Sequence, residues 1–217
     1  MGGFSMKALA INGGPRRGWN TDALLLEALR GAQEAGTETE MIRLYDLKYT
    51  GCRSCMACKR KGAVPCRCYW KDDLSPALEK VLQADVLFLG SPVYLGTVTA
   101  QTHAFLERLH YILFSYNDMT KSLFTGRVDS ACFFTMNAPR DYYRQNMKAS
   151  LETDVAALKG LNGSLETYAC CDTLQVGDYS KYELSLFDPV HKKRIHEEQF
   201  PKDLQAAYEI GKRLAAR

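Results

Sequence analysis

The segment "DVLFLGSPVYLGTVTAQTHAFLERLHYILF" (residues 85–114) runs from a short apolar stretch into a long amphipathic one. Its first part, "DVLFLG", has the length and the continuous apolar character that are typical of a buried strand. Beyond Thr97 the apolar residues recur at helical spacing, at Ala100, Ala104, Phe105, Leu109 and Ile112. Pro92 and Gly96, which lie between the two parts, are common turn residues. The segment therefore predicts a buried strand, a loop and a helix in succession.

The same succession recurs along the whole chain. We predict further strands over residues 7–11, 38–47, 129–136 and 164–176. Further helices are predicted over residues 20–36, 75–83, 142–160 and 201–217. Strands that alternate with helices favour a parallel sheet that is covered by helices on both faces. The predicted class is α/β, with a flavodoxin-like, doubly wound five-stranded parallel sheet of order 2-1-3-4-5 in three α/β/α layers.

Length and composition restrict the function classes. The 217 residues, 46 % of them apolar, predict a single domain over residues 1–217. A net charge of +3 gives no reason to expect a nucleic-acid partner. The N-terminus lacks a signal-peptide pattern, and no apolar run approaches the roughly 20 residues that span a bilayer, so we expect a cytoplasmic protein without a membrane partner. In a reducing cytoplasm, clustered thiols favour metal binding or redox chemistry over structural disulfides.

The loop after the first strand, "NGGPRRGWNT" (residues 12–21), precedes a helix N-terminus. Glycine backbone, free amides and the helix dipole favour an anion such as phosphate at this position. Arg16, Asn20 and Thr21 add side-chain donors, and either Asn20 or Thr21 could cap the helix. The alternative interpretation is an ordinary strand–helix turn with a solvated arginine pair.

The loop after the third strand, "GSPVYLGTVTAQ" (residues 90–101), offers a different kind of surface. Pro92 stiffens its backbone, Gly96 permits a turn, and Tyr94 can lie along a flat ring. Thr97 or Thr99 can cap the helix that follows. Together these residues predict an edge that binds a planar heterocycle through backbone groups.

Taken together, the two loops resemble those of the NAD(P)H-dependent flavin-mononucleotide reductase family. "INGGPRRGWNT" is similar to its phosphate loop, and "GSPVYLGTVTAQTHAFLERL" is similar to its isoalloxazine loop and the helix that follows. "GCRSCMAC" followed by "CYWKDDL" resembles the iron–sulfur flavoprotein branch of that family. The resemblance implies a flavodoxin-like oxidoreductase that binds FMN and assembles as a homodimer or homotetramer.

The resemblance also implies the residues that contact FMN. The phosphate would be surrounded by Gly14, Pro15, Arg16, Asn20 and Thr21. The flavin ring would be edged by Pro92, Val93, Tyr94, Leu95 and Gly96. The other end of the ring would be reached by the third loop, through Thr135, Met136, Asn137 and Ala138. Gly14 departs from the family, which has Ser there, so one hydroxyl contact to the phosphate is missing; Trp19 either covers the flavin or packs on the surface.

The implied chemistry transfers electrons from NAD(P)H or a protein donor, through FMN, to a quinone, a nitroaromatic, free flavin or a partner protein. Because the flavin carries the chemistry, we assign no catalytic side chain. His103 and His110 on the long helix are predicted to be structural residues at an oligomer contact, and His191 and His196 are predicted to be solvated. Two alternatives remain: an electron-transfer iron–sulfur flavoprotein without a small-molecule substrate, and a zinc-stabilised interaction domain without flavin.

The segment "GCRSCMACKRKGAVPCRC" (residues 51–68) lies in a predicted cysteine-rich loop over residues 51–73. Cys52, Cys55 and Cys58 have the tight spacing that iron–sulfur clusters favour. Cys66 or Cys68 could supply a fourth ligand to a [4Fe-4S] cluster, and the five Lys and Arg residues nearby are expected to lower the thiol pKa values. A thiol-rich structural loop, a zinc site and a redox-active disulfide are the alternatives.

Two other predictions concern the remaining cysteines and the C-terminal third of the chain. Cys132, Cys170 and Cys171 lie on predicted strands and are expected to be buried as small apolar residues. Residues 177–200 are predicted to be an irregular excursion that contacts a second subunit or covers the site.

Overall fold

A single parallel sheet forms the centre of the computed structural model, which describes residues 6–216. Its strands are β1 (Lys7–Asn12), β2 (Glu38–Arg43), β3 (Val86–Pro92), β4 (Val128–Thr135) and β5 (Asn162–Cys170). All neighbouring strands pair in parallel, in the order β2-β1-β3-β4-β5. This is the predicted order. Residues 1–5 and 217 of the predicted domain lie outside the described residues.

Seven α-helices accompany the strands within residues 6–216. They are α1 (Asn20–Glu34), α2 (Leu74–Gln83), α3 (Ala100–Leu113), α4 (Arg140–Asn146), α5 (Lys148–Asp154), α6 (Pro189–Glu198) and α7 (Phe200–Ala215). None of the described helices is long and apolar enough to cross a membrane. Each of the first four strands is followed by helical structure, which returns the chain to the start of the next strand, and α6 and α7 follow β5.

Alternate residues of β3 belong to different hydrophobic clusters, because side chains of a strand point to opposite faces. Leu87 and Leu89 pack with the α2, α3 and α5 side of the sheet. Val86 and Phe88 pack with residues of α1 and α7 on the other side. Every residue of β4 is buried, as expected for a strand that is covered on both faces. The layers are therefore the predicted α/β/α.

The helix predicted over residues 142–160 is instead divided into α4, α5 and a short 3-10 helix over Ala156–Leu161. At the first break, the Asn146 side-chain amide donates to the carbonyl of Tyr142 at 3.1 Å. A side-chain donor that bonds a backbone carbonyl in this way competes with continuation of the helix. Met147, at the junction, has a φ of −124°, which is outside the helical range.

Residues 177–200 are not irregular throughout, contrary to the prediction. The segment contains a 3-10 turn (Tyr179–Lys181) and the ten-residue helix α6. The Asp188 carboxylate accepts the Val190 amide at 2.9 Å, and Pro189 occupies the first turn. Asp and Pro at these positions are helix-start signals that the sequence contained. Helix α6 was nevertheless missed, because its sequence is strongly polar and has no pronounced apolar face.

Candidate functional site

A cleft of about 520 Å³ opens at the carboxyl ends of the strands. This carboxyl-edge cleft is lined by the loops after β1, β3, β4 and β5 and by part of the 177–200 segment. A smaller pocket of about 20 Å³ adjoins it, and five residues border both: Arg16, Asn20, Pro92, Tyr94 and Thr135. Ligands of open α/β sheets bind at this edge, near the point where the strand order reverses.

The loop after β1 is shaped by one buried carboxylate. Asp22 Oδ1 accepts from Asn12 Nδ2 at 2.8 Å and from Arg43 Nη2 at 2.7 Å, and Asp22 Oδ2 accepts the amide of Gly18 at 2.9 Å. The Gly14 amide donates to Asn12 Oδ1 at 2.8 Å. Both ends of the loop are thus held by the Asn12–Asp22–Arg43 group. Sequence reasoning did not identify these three residues, because the contacts join separate elements.

Gly13 allows the first loop to approach α3 closely, and Gly90 allows β3 to approach α1 closely. A Cβ at Gly13 would lie 1.9 Å from Thr102 Oγ1, and one at Gly90 would lie 2.7 Å from Leu25 Cδ1. Thr99 Oγ1 donates to the Gly13 carbonyl at 2.8 Å and accepts the Thr102 amide at 3.2 Å. Thr99 therefore caps α3, as predicted, and joins it to the first loop.

The predicted phosphate donors lie together at the start of α1. The Asn20 side chain donates to Leu174 O at 2.9 Å, Arg16 Nη1 donates to Gln175 O at 2.6 Å, and Thr21 Oγ1 lies 2.7 Å from Thr135 Oγ1. Since Asn20 and Thr21 are engaged in this way, neither caps the helix; Trp19 is the capping residue, without a side-chain bond. The Arg16 guanidinium also stacks on the Trp19 ring, 4.2 Å from its centroid.

The loop after β3 contains a tight turn whose tip leaves the cleft. Tyr94 and Thr97 exchange two backbone hydrogen bonds, of 2.9 and 3.2 Å. Leu95 and Gly96 between them have φ of 54° and 83°, the left-handed values of a type I′ turn. Leu95 is fully exposed and, like Gly96, lines neither pocket. Of the predicted ring-edge residues, only Pro92, Val93 and Tyr94 face the cleft.

The loops after β4 and β5 complete the cleft. Thr135, Met136 and Asn137, which are predicted to reach the flavin ring, line the cleft, and Asn137 Nδ2 donates to Gln175 Oε1 at 2.7 Å. The Asn137 Oδ1 atom is buried and has no hydrogen-bond partner among the described residues. Sequence reasoning missed further lining residues because they lie beyond the end of β5, in a segment without a binding motif: Thr173, Leu174, Gln175, Val176, Tyr182 and Leu184. Ala138 packs against the core and does not line the cleft.

Helix α6 is attached to the cleft through a buried lysine. The Lys192 ammonium donates to the Asn137 carbonyl at 2.7 Å and forms a close ion pair with Asp172. His191 Nε2 lies 2.5 Å from the other Asp172 oxygen, so His191 is paired rather than solvated as predicted. The 177–200 segment therefore forms one wall of the cleft within a single chain.

Four cysteines of the 51–73 loop border one small cavity of about 20 Å³. They are Cys52, Cys55, Cys58 and Cys68, and Cys66 does not line this space. Ser54, Met56 and Cys66 have left-handed φ of 51°, 57° and 58°, which turn the chain sharply between the thiols. We call this space the thiol cavity. Among residues 6–216, no three His, Cys, Asp or Glu side chains are placed as the ligands of one metal ion.

The prediction that nearby cations lower the thiol pKa values is wrong for two of the five thiols. Burial raises the pKa of Cys58, the Lys59 charge lowers it only partly, and Cys68, Cys55 and Cys52 raise it further. Burial likewise raises the pKa of Cys66 against the effect of Lys59. The Lys59 ammonium donates to the carbonyl of Phe114 at the end of α3, so part of its electrostatic effect is on that carbonyl.

The remaining cysteines and histidines have structural surroundings. Cys132, Cys170 and Cys171 are buried as predicted, and Cys170 Sγ donates to the buried Asp203 at 3.1 Å. His103 Nε2 lies 2.7 Å from Thr97 Oγ1 and 3.8 Å from Asp154 Oδ1. His110 and His196 stack on Phe114 and Phe200, with centroids 5.4 and 5.2 Å apart. None of these groups faces the carboxyl-edge cleft.

Comparison with solved structures shows that other proteins share the fold of this chain. An NAD(P)H:quinone oxidoreductase from Methanothermobacter marburgensis superposes with a TM-score of 0.70 at 16 % identity, covering 97 % of both chains. An azoreductase from Bacillus anthracis gives a TM-score of 0.63 at 14 % identity, covering 96 % of this chain and 99 % of the other. At these identities the likeness establishes the flavodoxin-like fold alone.

Comparison of sequences is more specific. An iron-sulfur flavoprotein from Methanocaldococcus jannaschii is 42 % identical over 103 residues, which are 48 % of this chain and 51 % of the relative. One from Methanosarcina thermophila is 33 % identical over 103 residues, 48 % of this chain and 52 % of the relative. The chain spans about half the length of these curated relatives. Residues 6–133, more than half of the chain, match the family described as NADPH-dependent FMN reductase, and the protein belongs to that family.

Proposed function

We propose that this protein is an oxidoreductase that binds FMN in the carboxyl-edge cleft and transfers electrons from NAD(P)H or a protein donor to an acceptor. One observation carries the proposal: loops from four strands bring the predicted flavin-binding residues together around a cleft of about 520 Å³. That volume lies within the range of small-molecule and cofactor sites, about 300–1,000 Å³. Of the predicted residues, Leu95 and Gly96 are left out of the proposed site because they point away from the cleft.

The chemistry of the lining fits FMN at both ends. At the start of α1, the first-turn amides and the Arg16, Asn20 and Thr21 side chains offer the donors that a phosphate needs. Near β4, the unpartnered Asn137 Oδ1 is an acceptor that suits an N–H group at the edge of a flavin ring. Bound FMN supplies hydride and single-electron transfer, and the protein contributes position and electrostatics.

The acceptor is proposed by chemical class. Tyr94, Tyr182 and Leu184 give the cleft a wall of apolar and aromatic surface, which suits a planar molecule such as a quinone, a nitroaromatic or free flavin. The quinone oxidoreductase and azoreductase of the same fold are named for acceptors of this kind.

A second candidate function is electron transfer through a [4Fe-4S] cluster as well as FMN. The thiol cavity favours it, because four cysteines and Arg108 line one space, and the buried Arg108 Nε has no partner among the described residues. The proposed ligands are Cys52, Cys55, Cys58 and Cys68. A space of about 20 Å³ holds roughly one water molecule, so cluster assembly requires the loop to widen.

The first experiment is a visible spectrum of anaerobically purified protein, with iron and zinc measured on the same sample. A flavin spectrum with about four irons per chain supports both proposals, since a cubane cluster contains four irons. A flavin spectrum without iron leaves the FMN oxidoreductase and removes the cluster. A colourless protein that cannot be reconstituted with FMN overturns the main proposal, and zinc in that protein selects the interaction-domain alternative.

Two neighbouring arginines provide a matched test of the phosphate site. Arg16 lines the cleft, whereas Arg17 is exposed and pairs with Asp46 at 2.6 Å. We expect Arg16→Gln to weaken FMN binding by about 10- to 100-fold, because a hydrogen bond to a charged group contributes about 1.5–3 kcal/mol. Arg17→Gln should change the affinity by less than about threefold. Equal losses in a flavin-fluorescence titration would contradict this placement of the phosphate.

A second matched pair tests the cluster ligands. We expect Cys68→Ser to lose iron, because Cys68 borders the thiol cavity, and Cys66→Ser to retain it. Iron and sulfide are measured after anaerobic reconstitution. Loss of iron in Cys66→Ser with retention in Cys68→Ser would contradict the assignment.

We also propose a homodimer or homotetramer. The 177–200 segment exposes Leu186 by 87 % and Val190 by 77 %, an apolar surface that association would cover. A monomeric mass by light scattering would contradict this.

A further inference from the structure

Arg108 is the bulkiest of the fully buried side chains in the described part of the chain, with 2 % of its surface exposed. It projects from α3 into the cysteine-rich loop, where Nη1 donates to Asp72 Oδ2 at 2.5 Å. Its Nη2 atom donates to Trp70 O at 3.0 Å and lies 3.3 Å from Ser75 Oγ. Burying a guanidinium in this way is costly unless it is paired and fully hydrogen-bonded.

The hydrogen bonding of Arg108 is incomplete on the side of the thiol cavity. Nη2 donates to Cys68 Sγ at 3.2 Å, and Nε is buried without a partner among the described residues. Arg108 borders the thiol cavity together with Cys52, Cys55 and Cys58. The cavity that four cysteines line is therefore also lined by a buried cation that has one unused N–H donor.

The charge of Arg108 persists despite its burial. Arginine stays protonated over the accessible pH range, and the ion pair with Asp72 stabilises the buried charge of Arg108. The cation is therefore held in place over the accessible pH range. Asp72 supplies the opposing charge on the side away from the cavity, so the two residues form an oriented pair.

We propose that Arg108 is a positioning residue that raises the reduction potential of the iron–sulfur group held by these thiols, through its buried charge and its N–H donors to sulfur. The inference rests on the proposed cluster. Hydrogen bonds to the sulfurs and local charge are two of the factors that set cluster potentials. The step concerned is uptake of one electron from the reduced flavin, or from dithionite in the test, with no bond made or broken.

Two substitutions that break the same ion pair have opposite expected effects. Arg108→Met removes the positive charge and should lower the midpoint potential, whereas Asp72→Asn leaves Arg108 uncompensated and should raise it. We expect each to change the equilibrium constant for reduction at least tenfold, which is about 59 mV for one electron. Loosening of the loop alone would shift both potentials in one direction, so the opposite signs identify an electrostatic role.

Two further variants complete the set. Arg108→Lys keeps the charge but loses the planar set of donors, and its potential should lie between those of wild type and Arg108→Met. Arg67→Met removes a charge from the same loop where Arg67 is exposed and stacks on Tyr69, 5.6 Å from the ring centroid. Because water screens an exposed charge, this control should change the equilibrium constant less than threefold.

The measurement is an anaerobic redox titration of the holoprotein, followed by electron paramagnetic resonance and with iron counted for each variant. Opposite shifts in Arg108→Met and Asp72→Asn support the inference. Midpoint potentials that shift in the same direction in both variants, or that shift no more than in Arg67→Met, overturn this inference and leave the cluster proposal intact. If Arg108→Met retains no iron, Arg108→Lys takes its place. A midpoint potential that is lowered in Arg108→Lys and raised in Asp72→Asn then supports the inference, and shifts in the same direction overturn it. Wild-type protein with flavin and no iron overturns the cluster proposal and this inference together.

Discussion

At the scale of single residues, Asp22 determines the shape of the first loop. Its two carboxylate oxygens receive bonds from Asn12, Gly18 and Arg43, which belong to three separate parts of the chain. The sequence predicted Arg16, Asn20 and Thr21 because they lie beside a glycine-rich loop. It could not predict Asp22, because a carboxylate near a phosphate site is unexpected unless its cationic partner is known.

We expect Asp22→Asn to destabilise the fold and to weaken FMN binding. The Asp22 side chain is 4 % exposed and that of Arg43 is 24 % exposed, so the loss should be about 2–3 kcal/mol, below that of a fully buried pair. FMN affinity should fall about tenfold because the loop is no longer held at both ends. Urea denaturation and fluorescence titration measure the two effects. Glu27→Gln is the control, because Glu27 lies on the same helix and pairs with Arg30, whose side chain is 49 % exposed, at 2.6 Å. A similar loss in this variant would contradict the argument.

Gly13 allows the first loop to lie close to α3, and its substitution tests how tight this contact is. In Gly13→Ala the new Cβ would lie 1.9 Å from Thr102 Oγ1 and 3.1 Å from the Gly90 carbonyl, so α3 or the loop must shift. We expect a loss of roughly 1–3 kcal/mol in the free energy of unfolding. Gly177→Ala meets nothing within 4 Å and should change stability by less than about 1 kcal/mol. Equal midpoints in urea for the two variants would show that the approach is not tight.

At the scale of elements, sequence patterns predicted the five strands and most helices, because apolar runs and amphipathic spacing are local signals. Helix α6 was missed because its stability comes from a distant contact, that of Lys192 with Asp172 and Asn137. The sequence also did not decide which cysteine joins Cys52, Cys55 and Cys58 at the thiol cavity. Spacing favoured Cys66, whereas alignment of the downstream "KDDL" favoured Cys68. The left-handed backbone at Cys66, which accompanies its absence from the cavity, is not a sequence signal.

Lys192 and Lys193 test how α6 is held against the cleft. We expect Lys192→Met to increase amide hydrogen exchange over residues 177–198 by about 10- to 100-fold, because removing one partner of a buried pair costs about 1–3 kcal/mol. Lys193→Met should leave exchange unchanged, since the Lys193 side chain is 76 % exposed and its contact with Glu197 is 3.9 Å long. Unchanged exchange in Lys192→Met would mean that other contacts hold the helix.

At the scale of the whole molecule, the buried thiols make stability depend on alkaline pH. Burial raises the pKa of Cys171 to about 11 and the pKa values of Cys132 and Cys170 well above the ordinary range. The unfolded chain releases these protons near pH 8.5 while the folded chain retains them. Their contribution to stability is therefore complete below about pH 8.5 and is lost as pH rises towards 11, by up to about 1.4 kcal/mol per pH unit for each thiol.

Urea denaturation at pH 7, 8.5 and 10 measures this dependence on protein kept reduced. We expect stability to fall between pH 8.5 and 10, and Cys171→Ala to fall less steeply than wild type, although its stability at pH 7 is lower because of the small cavity it creates. The same slope in wild type and Cys171→Ala would show that the Cys171 thiol titrates alike in the folded and unfolded chains.

The sheet separates two hydrophobic clusters, one on each of its faces. Cys58, Cys66 and Cys68 pack on the hydrophobic cluster of the α3 face, whereas α7, which adjoins α6, packs with α1 on the opposite face. Free-energy changes at sites that share no partners usually add. Stabilising substitutions on the two faces are therefore expected to act independently, so they could be selected in separate libraries and the best variants combined.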